Sequence, residues 1–358
     1  MVALAAIAGM VVIVTVLWEG FETMILPRRV TRRSRFTTYF YWPLWRAWKV
    51  IGGALARRNL QDLWLSFFGP LSILLMLIVW AVGLIVGFGL LHWAAGSAVG
   101  RNGGSASLYT DFYLSGNAFF TLGLGDVVPA THLGRFLTVL ESGLGFGFLA
   151  LLISYLPSLN QSFARREVSI SLLDARAGSP PCASEMLRRH NHEEGRQALR
   201  ELLQEWERWS AEILESHQSY PVLAYFRSQH DNQSWLGALT AILDTCALIS
   251  AGLPGPCRRQ AELTFAIARH AVVDLCLVFR RRPIDGADRL PPASREELRA
   301  ALAAAGVRLE EGEDADRALT ELRAMYEPYV TALAAHFRID LPPWVTTVRH
   351  PDNWQVTE

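Results

Sequence analysis

Three long stretches of the chain carry no charge: Val2 to Trp18, Leu63 to Leu91 and Ser142 to Ser162. Each is close to or above the ~20 residues that cross ~30 Å of hydrocarbon at a rise of 1.5 Å per residue, which predicts three membrane-spanning helices. The first does not read as a secretory signal. It lacks a basic start, and Glu19 and Glu22 stand where small cleavage-site residues are expected, so a retained helix is predicted. A shorter apolar segment, Phe112 to Phe120, cannot span a bilayer and runs directly into alternate glycines, Gly123 and Gly125. It predicts a re-entrant helix followed by extended backbone. Beyond Phe163 the long apolar runs end. Apolar residues then recur at three- and four-residue spacing over Met186 to Ile213, Trp235 to Ile249, Leu263 to Phe279 and Leu319 to Phe337, predicting soluble helices. Ser294-Arg295-Glu296-Glu297 reads as a capping box, and Gly306 as the stop of the helix it opens.

The fold class expected is an all-α membrane protein: three transmembrane helices plus a re-entrant pore loop, with a helical cytoplasmic C-terminal domain. The parts are an N-terminal transmembrane helix (1–26), a basic and aromatic interfacial segment (27–62), a pore domain (63–162) and a helical domain (163–358). Within the pore domain the expectation is an outer helix over 63–91, a pore helix over 110–120, a filter over 121–126 and an inner helix over 135–162.

Composition agrees, since 51% of residues are hydrophobic and only 19% charged, an excess that needs lipid contact. Basic residues set the orientation. Within residues 27–62, Arg28, Arg29, Arg32, Arg33, Arg35, Arg46, Lys49, Arg57 and Arg58 face a single acid, Asp62, which makes that segment cytoplasmic. Only Arg101 and Arg135 lie between the second and third spans, and Arg165 and Arg166 follow the third. The N-terminus is therefore expected outside and the C-terminus inside a plasma membrane. Residues 163–358 hold 23 arginines against 28 acids, and the whole chain balances 34 basic with 34 acidic residues, which excludes a strongly basic nucleic-acid binder. Four widely spaced cysteines, Cys182, Cys246, Cys257 and Cys276, encode neither a zinc site nor a disulfide framework.

The chemistry lies in Thr121-Leu122-Gly123-Leu124-Gly125-Asp126. A cation shedding its water needs oxygens in exchange, and consecutive main-chain carbonyls supply them if the backbone bends so that all face one way. Alternate glycines permit that bend, and Thr121 adds a hydroxyl. Non-helical backbone at membrane depth is tolerated only where it lines a wet path or is buried in protein. One copy makes one wall, so four chains around an axis are needed to surround the ion.

These residues resemble the pore-loop potassium channels, whose filter reads Thr-x-Gly-x-Gly-Asp between an outer and an inner helix. The resemblance covers about Leu63 to Ser162 and continues through Pro129, Thr131, Gly134 and Arg135. It implies a homotetramer with K+ as permeant ion, held by the backbone carbonyls of Thr121, Leu122, Gly123 and Leu124, and no cofactor. It further implies Asp126 at the outer mouth, Asn117 as a polar support one helical turn behind the filter, and Gly145 at a gating hinge of the inner helix. Close helix packing through Gly143, Gly145 and Gly147 is the rival reading of those glycines. Leu124 stands where the family most often has an aromatic residue, and Phe120 replaces the commoner Thr. Glu141 is an acid inside an apolar zone, which needs water or a partner.

Tyr39, Phe40, Tyr41, Trp42, Trp45 and Trp48 suit a headgroup layer, and the arginines before them suit anionic lipid headgroups. A slide helix is the sharper reading of that segment. His190 and His192 beside Glu193 and Glu194 read as a solvated face. The helical domain names no ligand or partner. With no nucleophile-base constellation, phosphate loop or metal cluster, an enzyme is not expected. A potassium-selective channel is the first reading. A weakly selective cation channel, or a non-conducting membrane sensor or scaffold acting through residues 163–358, are the alternatives.

Overall fold

A computed structural model describes residues 1–26, 36–55, 57–96, 98–100, 107–229 and 232–345. The arginines at 28, 29, 32, 33, 35 and 101 lie outside the described residues. The chain divides into two compact units, Met1–Asn160 and Gln161–Glu358.

The first unit contains α1 (Val2–Met24), α2 (Phe36–Gly53), α3 (Arg58–Ser66), α4 (Phe68–Ala94), β1 (Ala98–Gly100), α5 (Leu108–Phe119) and β2 (Val127–Pro129), and α6 (His132–Ala177) begins in it. The strands pair antiparallel, Val99 opposite Val128, and are the one departure from an all-α fold among the described residues. Lipid is as apolar as leucine, so helices in a membrane associate through close approach of small residues. Here α1 meets α4 at glycines: a Cβ on Gly9 would fall 2.6 Å from the Gly87 carbonyl oxygen, and one on Gly87 would fall 2.6 Å from Ile13. Ile13, Leu84, Phe88, Phe119 and Leu137 then form one cluster drawn from α1, α4, α5 and α6. On the outward faces Leu4, Ile78, Val139 and Phe146 stay exposed, as lipid- or partner-facing residues do.

Two expected boundaries shift. The span expected over 63–91 breaks at Phe67 into the polar α3 and the apolar α4, because Arg58, Asn59, Gln61 and Asp62 make the first stretch amphipathic. The inner helix starts at His132, where Thr131 Oγ1 accepts from Gly134 N (3.0 Å), and continues to Ala177. The aromatic segment is not wholly a lipid anchor. Trp48 stacks on Trp64 at 4.2 Å, each indole N–H donating to the other's carbonyl (2.9 and 3.1 Å), and Trp45 is buried against Phe68. Trp42 is exposed, with Arg46 over its ring.

The second unit takes α6 from residue 161 and adds α7 (Ala183–Arg189), α8 (Glu193–Ser219), α9 (Trp235–Gly252), α10 (Cys257–Val278), α11 (Pro292–Ala304), α12 (Glu313–Ala324) and α13 (Glu327–Phe337). By length and composition alone four helices among the described residues could cross a membrane, and α9 is the fourth. Its apolar window is 89% buried inside this unit, so its hydrophobicity serves a protein core. The stretch expected as one helix over Met186 to Ile213 is broken between α7 and α8, and that over Leu319 to Phe337 is broken before Pro328, the first-turn proline of α13. The capping box expected at Ser294 does not form, because α11 already starts at Pro292. Gly306, at φ 80°, closes that helix through Val307 N to Leu302 O (2.8 Å). His190 is buried, its Nδ1 2.8 Å from Met186 O, rather than on a solvated face. All four cysteines are free and buried. A polar core ties α9 to α13: Arg289 donates to Asp244 (2.7 and 3.1 Å), Tyr326 O–H donates to Asp244 (2.5 Å), and Arg289 and Arg323 both reach Glu327.

Candidate functional site

Helix α5 is short by design of its ends. Ser107 Oγ accepts from Thr110 N (3.2 Å) and Asp111 sits in the first turn, where the helix dipole favours an acid. Twelve residues give a length of about 18 Å, roughly half of the hydrocarbon thickness. Gly89 of α4 makes room for it: a Cβ there would fall 2.1 Å from the Phe112 ring. The helix finishes with Phe120 N to Gly116 O (3.0 Å), Thr121 N to Ala118 O (3.0 Å) and Leu122 N to Asn117 O (2.9 Å).

The backbone then alternates. Thr121 (φ 53°), Gly123 (φ 65°) and Gly125 (φ 73°) are left-handed, whereas Leu122 and Leu124 are not. In a plain strand, residues point alternately to opposite sides. A left-handed residue at every second position cancels that alternation, so consecutive carbonyl oxygens are free to share one side. Gly123 and Gly125 adopt it without steric cost. Thr121, β-branched at positive φ, is an outlier held by its surroundings. Residues 121 to 126 are exposed in the single chain, open to whatever stands across from them.

Side chains of α5 hold this segment from behind. Asn117, buried, accepts from Leu124 N through Oδ1 (3.4 Å). Tyr113, one helical turn earlier, donates its hydroxyl to Asp126 Oδ2 (2.9 Å), and Val127 N donates to Asp126 Oδ1 (3.1 Å). Sequence reasoning assigned Tyr113 no role; its spacing of four from Asn117 was the available signal. The Val127–Pro129 strand follows at once and pairs with β1.

The three inner-helix glycines have two different surroundings. Gly143 and Gly147, four residues apart, have nothing of their own chain within 4 Å of an added Cβ. Gly145, on the opposite face, has the Phe119 carbonyl oxygen 2.1 Å from where its Cβ would stand, and Ser142 Oγ donates to Ala118 O (3.0 Å). Gly145 thus sits at a close helix contact under the last turn of α5. Glu141 is fully buried, hydrogen-bonded to Ser115 of α5 and 3.4 Å from His92 Nε2 of α4. It pairs laterally inside the subunit. Sequence reasoning left its partners open, since nothing in their spacing connects His92, Ser115 and Glu141.

A half-length helix ending in a left-handed alternation, set between two spanning helices, defines a pore-loop ion channel. Residues 73–161 match a family described as ion channel, which supports a pore-loop channel for this segment. The chain is also similar to the uncharacterised membrane protein YdjJ of Bacillus subtilis (strain 168), with 24% identity over 259 residues, 70% of this chain and 71% of that protein. No solved structure matches.

Proposed function

We propose that the protein is a potassium-selective channel that conducts K+ passively across a plasma membrane as a homotetramer, its N-terminus outside and its C-terminus cytoplasmic. The observation that carries this reading is the left-handed alternation at Thr121, Gly123 and Gly125, which favours four stacked carbonyl levels from Thr121 to Leu124. Asp126, at the outer end, concentrates cations by fourfold repetition. Asn117 and Tyr113 set the position of the segment from behind. Gly145 remains the hinge position of the proposal, now with a packing duty beside it. Anionic headgroups are the proposed partners of the interfacial segment.

The test is the reversal potential of purified protein in planar bilayers with potassium on one side and sodium on the other. A reversal near the potassium equilibrium potential, abolished with the current in Gly123→Ala, is expected. A reversal indifferent to potassium removes selectivity and leaves the weakly selective channel. An assembled protein with no current leaves the sensor or scaffold reading.

A further inference from the structure

Behind the filter, three helices of one subunit meet at a buried polar chain. Ser115 Oγ of α5 lies 2.7 Å from the Ile85 carbonyl oxygen of α4 and is hydrogen-bonded to Glu141 Oε1 of α6. Glu141 Oε2 lies 3.4 Å from His92 Nε2 of α4. Ser115, Glu141 and His92 are all fully buried.

Proton counting decides the state of this chain. Ser115 brings one hydroxyl proton to two contacts, the Ile85 carbonyl brings none, and a carboxylate brings none. Were Glu141 ionised and His92 protonated, Ser115 would still face two acceptors with a single proton. If the carboxyl keeps its own proton on Oε1, it donates to Ser115 and Ser115 donates to Ile85, so both contacts of the hydroxyl are served, while neutral His92 stands with Nε2 3.4 Å from Oε2. The neutral chain also spares the apolar interior two ionised groups, each costly to desolvate.

We propose that Glu141 carries a proton in this brace and is a positioning residue of the pore helix, so that conduction follows its protonation. The inference rests on the channel reading for its consequence but not for its chemistry. Ser115 is two residues from Asn117, which holds Leu124, and four from Phe119, whose carbonyl packs on Gly145. Loss of the Glu141 proton turns the Ser115 hydroxyl from Ile85 toward the carboxylate and unlatches α5 from α4. The other titratable groups on the elements packed here are Tyr109, Asp111, one turn before Ser115, and Tyr113, bound to Asp126, all on α5. On α6 the nearest is Arg135, and α1, packed on α4, carries Glu19 and Glu22 near its C-terminal end.

Glu141→Gln mimics the neutral acid, since its amide N–H donates to Ser115 and its carbonyl oxygen can take the place of Oε2 opposite His92. In proteoliposomes the full chain with Glu141→Gln is expected to conduct within about twofold of the wild type at neutral pH, the hydrogen-bond pattern being conserved. The wild type is expected to lose current as pH is raised and Glu141→Gln is expected not to; a wild-type current that holds in alkali also overturns the proposal. A Glu141→Gln channel that is silent at neutral pH where the wild type conducts, or one that declines in alkali as the wild type does, overturns the proposal. Infrared difference spectra supply a readout independent of current: a protonated-carboxyl C=O band present in the wild type at neutral pH and missing in Glu141→Gln. Absence of that band from the wild type refutes the proposal even if the channel conducts, whereas a band in a protein without current refutes the channel reading alone.

Discussion

Gly145→Ala separates a packing role from a hinge role. The added Cβ would stand 2.1 Å from the Phe119 carbonyl oxygen and 3.0 Å from the carbonyl carbon. An ordinary contact begins near 3.4 Å, so α5 and α6 must part by 3.4 − 2.1, about 1.3 Å, at this point. Both sides of the contact are backbone, so no side-chain rotation relieves it. Overpacking of this kind costs about 1–3 kcal/mol, too little to prevent folding of a helical unit with many other contacts. The Phe119 carbonyl lies two residues before Thr121, and a displacement of about 1 Å in a positioned site can cost on the order of 100-fold in rate. Potassium flux into proteoliposomes, normalised to oligomer by size-exclusion chromatography, should therefore fall by about that factor. Gly143→Ala and Gly147→Ala, with open space at Cβ, should assemble and keep the conduction path intact. A pure hinge would behave otherwise: Gly145→Ala would change the open probability and leave the unitary conductance alone. A Gly145→Ala channel with wild-type unitary conductance and flux would refute the packing argument.

Two predictions concern the helical unit. Asp244→Asn removes the charge to which Arg289 and Tyr326 are bound, leaving the Arg289 guanidinium under-compensated in the core; a loss of about 3–5 kcal/mol is expected in urea unfolding, and a loss below about 1 kcal/mol would show the network to be dispensable. Burial, and then the neighbouring Arg166 guanidinium, push the His217 imidazole down to about 3 from its ordinary 6.5. The unfolded chain takes this proton near 6.5 and the folded chain only near 3, so the stabilisation is complete above 6.5 and drains away as pH falls toward 3, on the order of 1 kcal/mol per pH unit. His217→Leu should move acid unfolding, followed by tryptophan fluorescence, to lower pH; an unmoved midpoint would count against this assignment.

What the sequence made legible is what physics writes locally. Uncharged length announces α1, α4 and α6, and the glycine alternation at Gly123 and Gly125 announces a backbone that no other residue adopts cheaply. The break at Phe67 was hidden because an apolar run, Leu63 to Leu91, continues across it, and only the polar face of α3 tells the two helices apart. The capping motif at Ser294 misled because a first-turn proline, Pro292, starts a helix as well as a cap does. The Trp48–Trp64 clasp and the Ser115–Glu141–His92 brace join residues far apart in the chain, and such pairings appear only when the helices are set side by side.

The central claim is that the peptide oxygens of Thr121 to Leu124 hold a file of dehydrated cations. The most direct test is a density map of the purified oligomer with potassium replaced by an electron-rich monovalent substitute. Four copies should converge on one axis, with ion density bracketed by these carbonyl oxygens. An oligomer in which the four segments stand away from a common axis, or in which the axis carries density without these oxygens around it, contradicts the account.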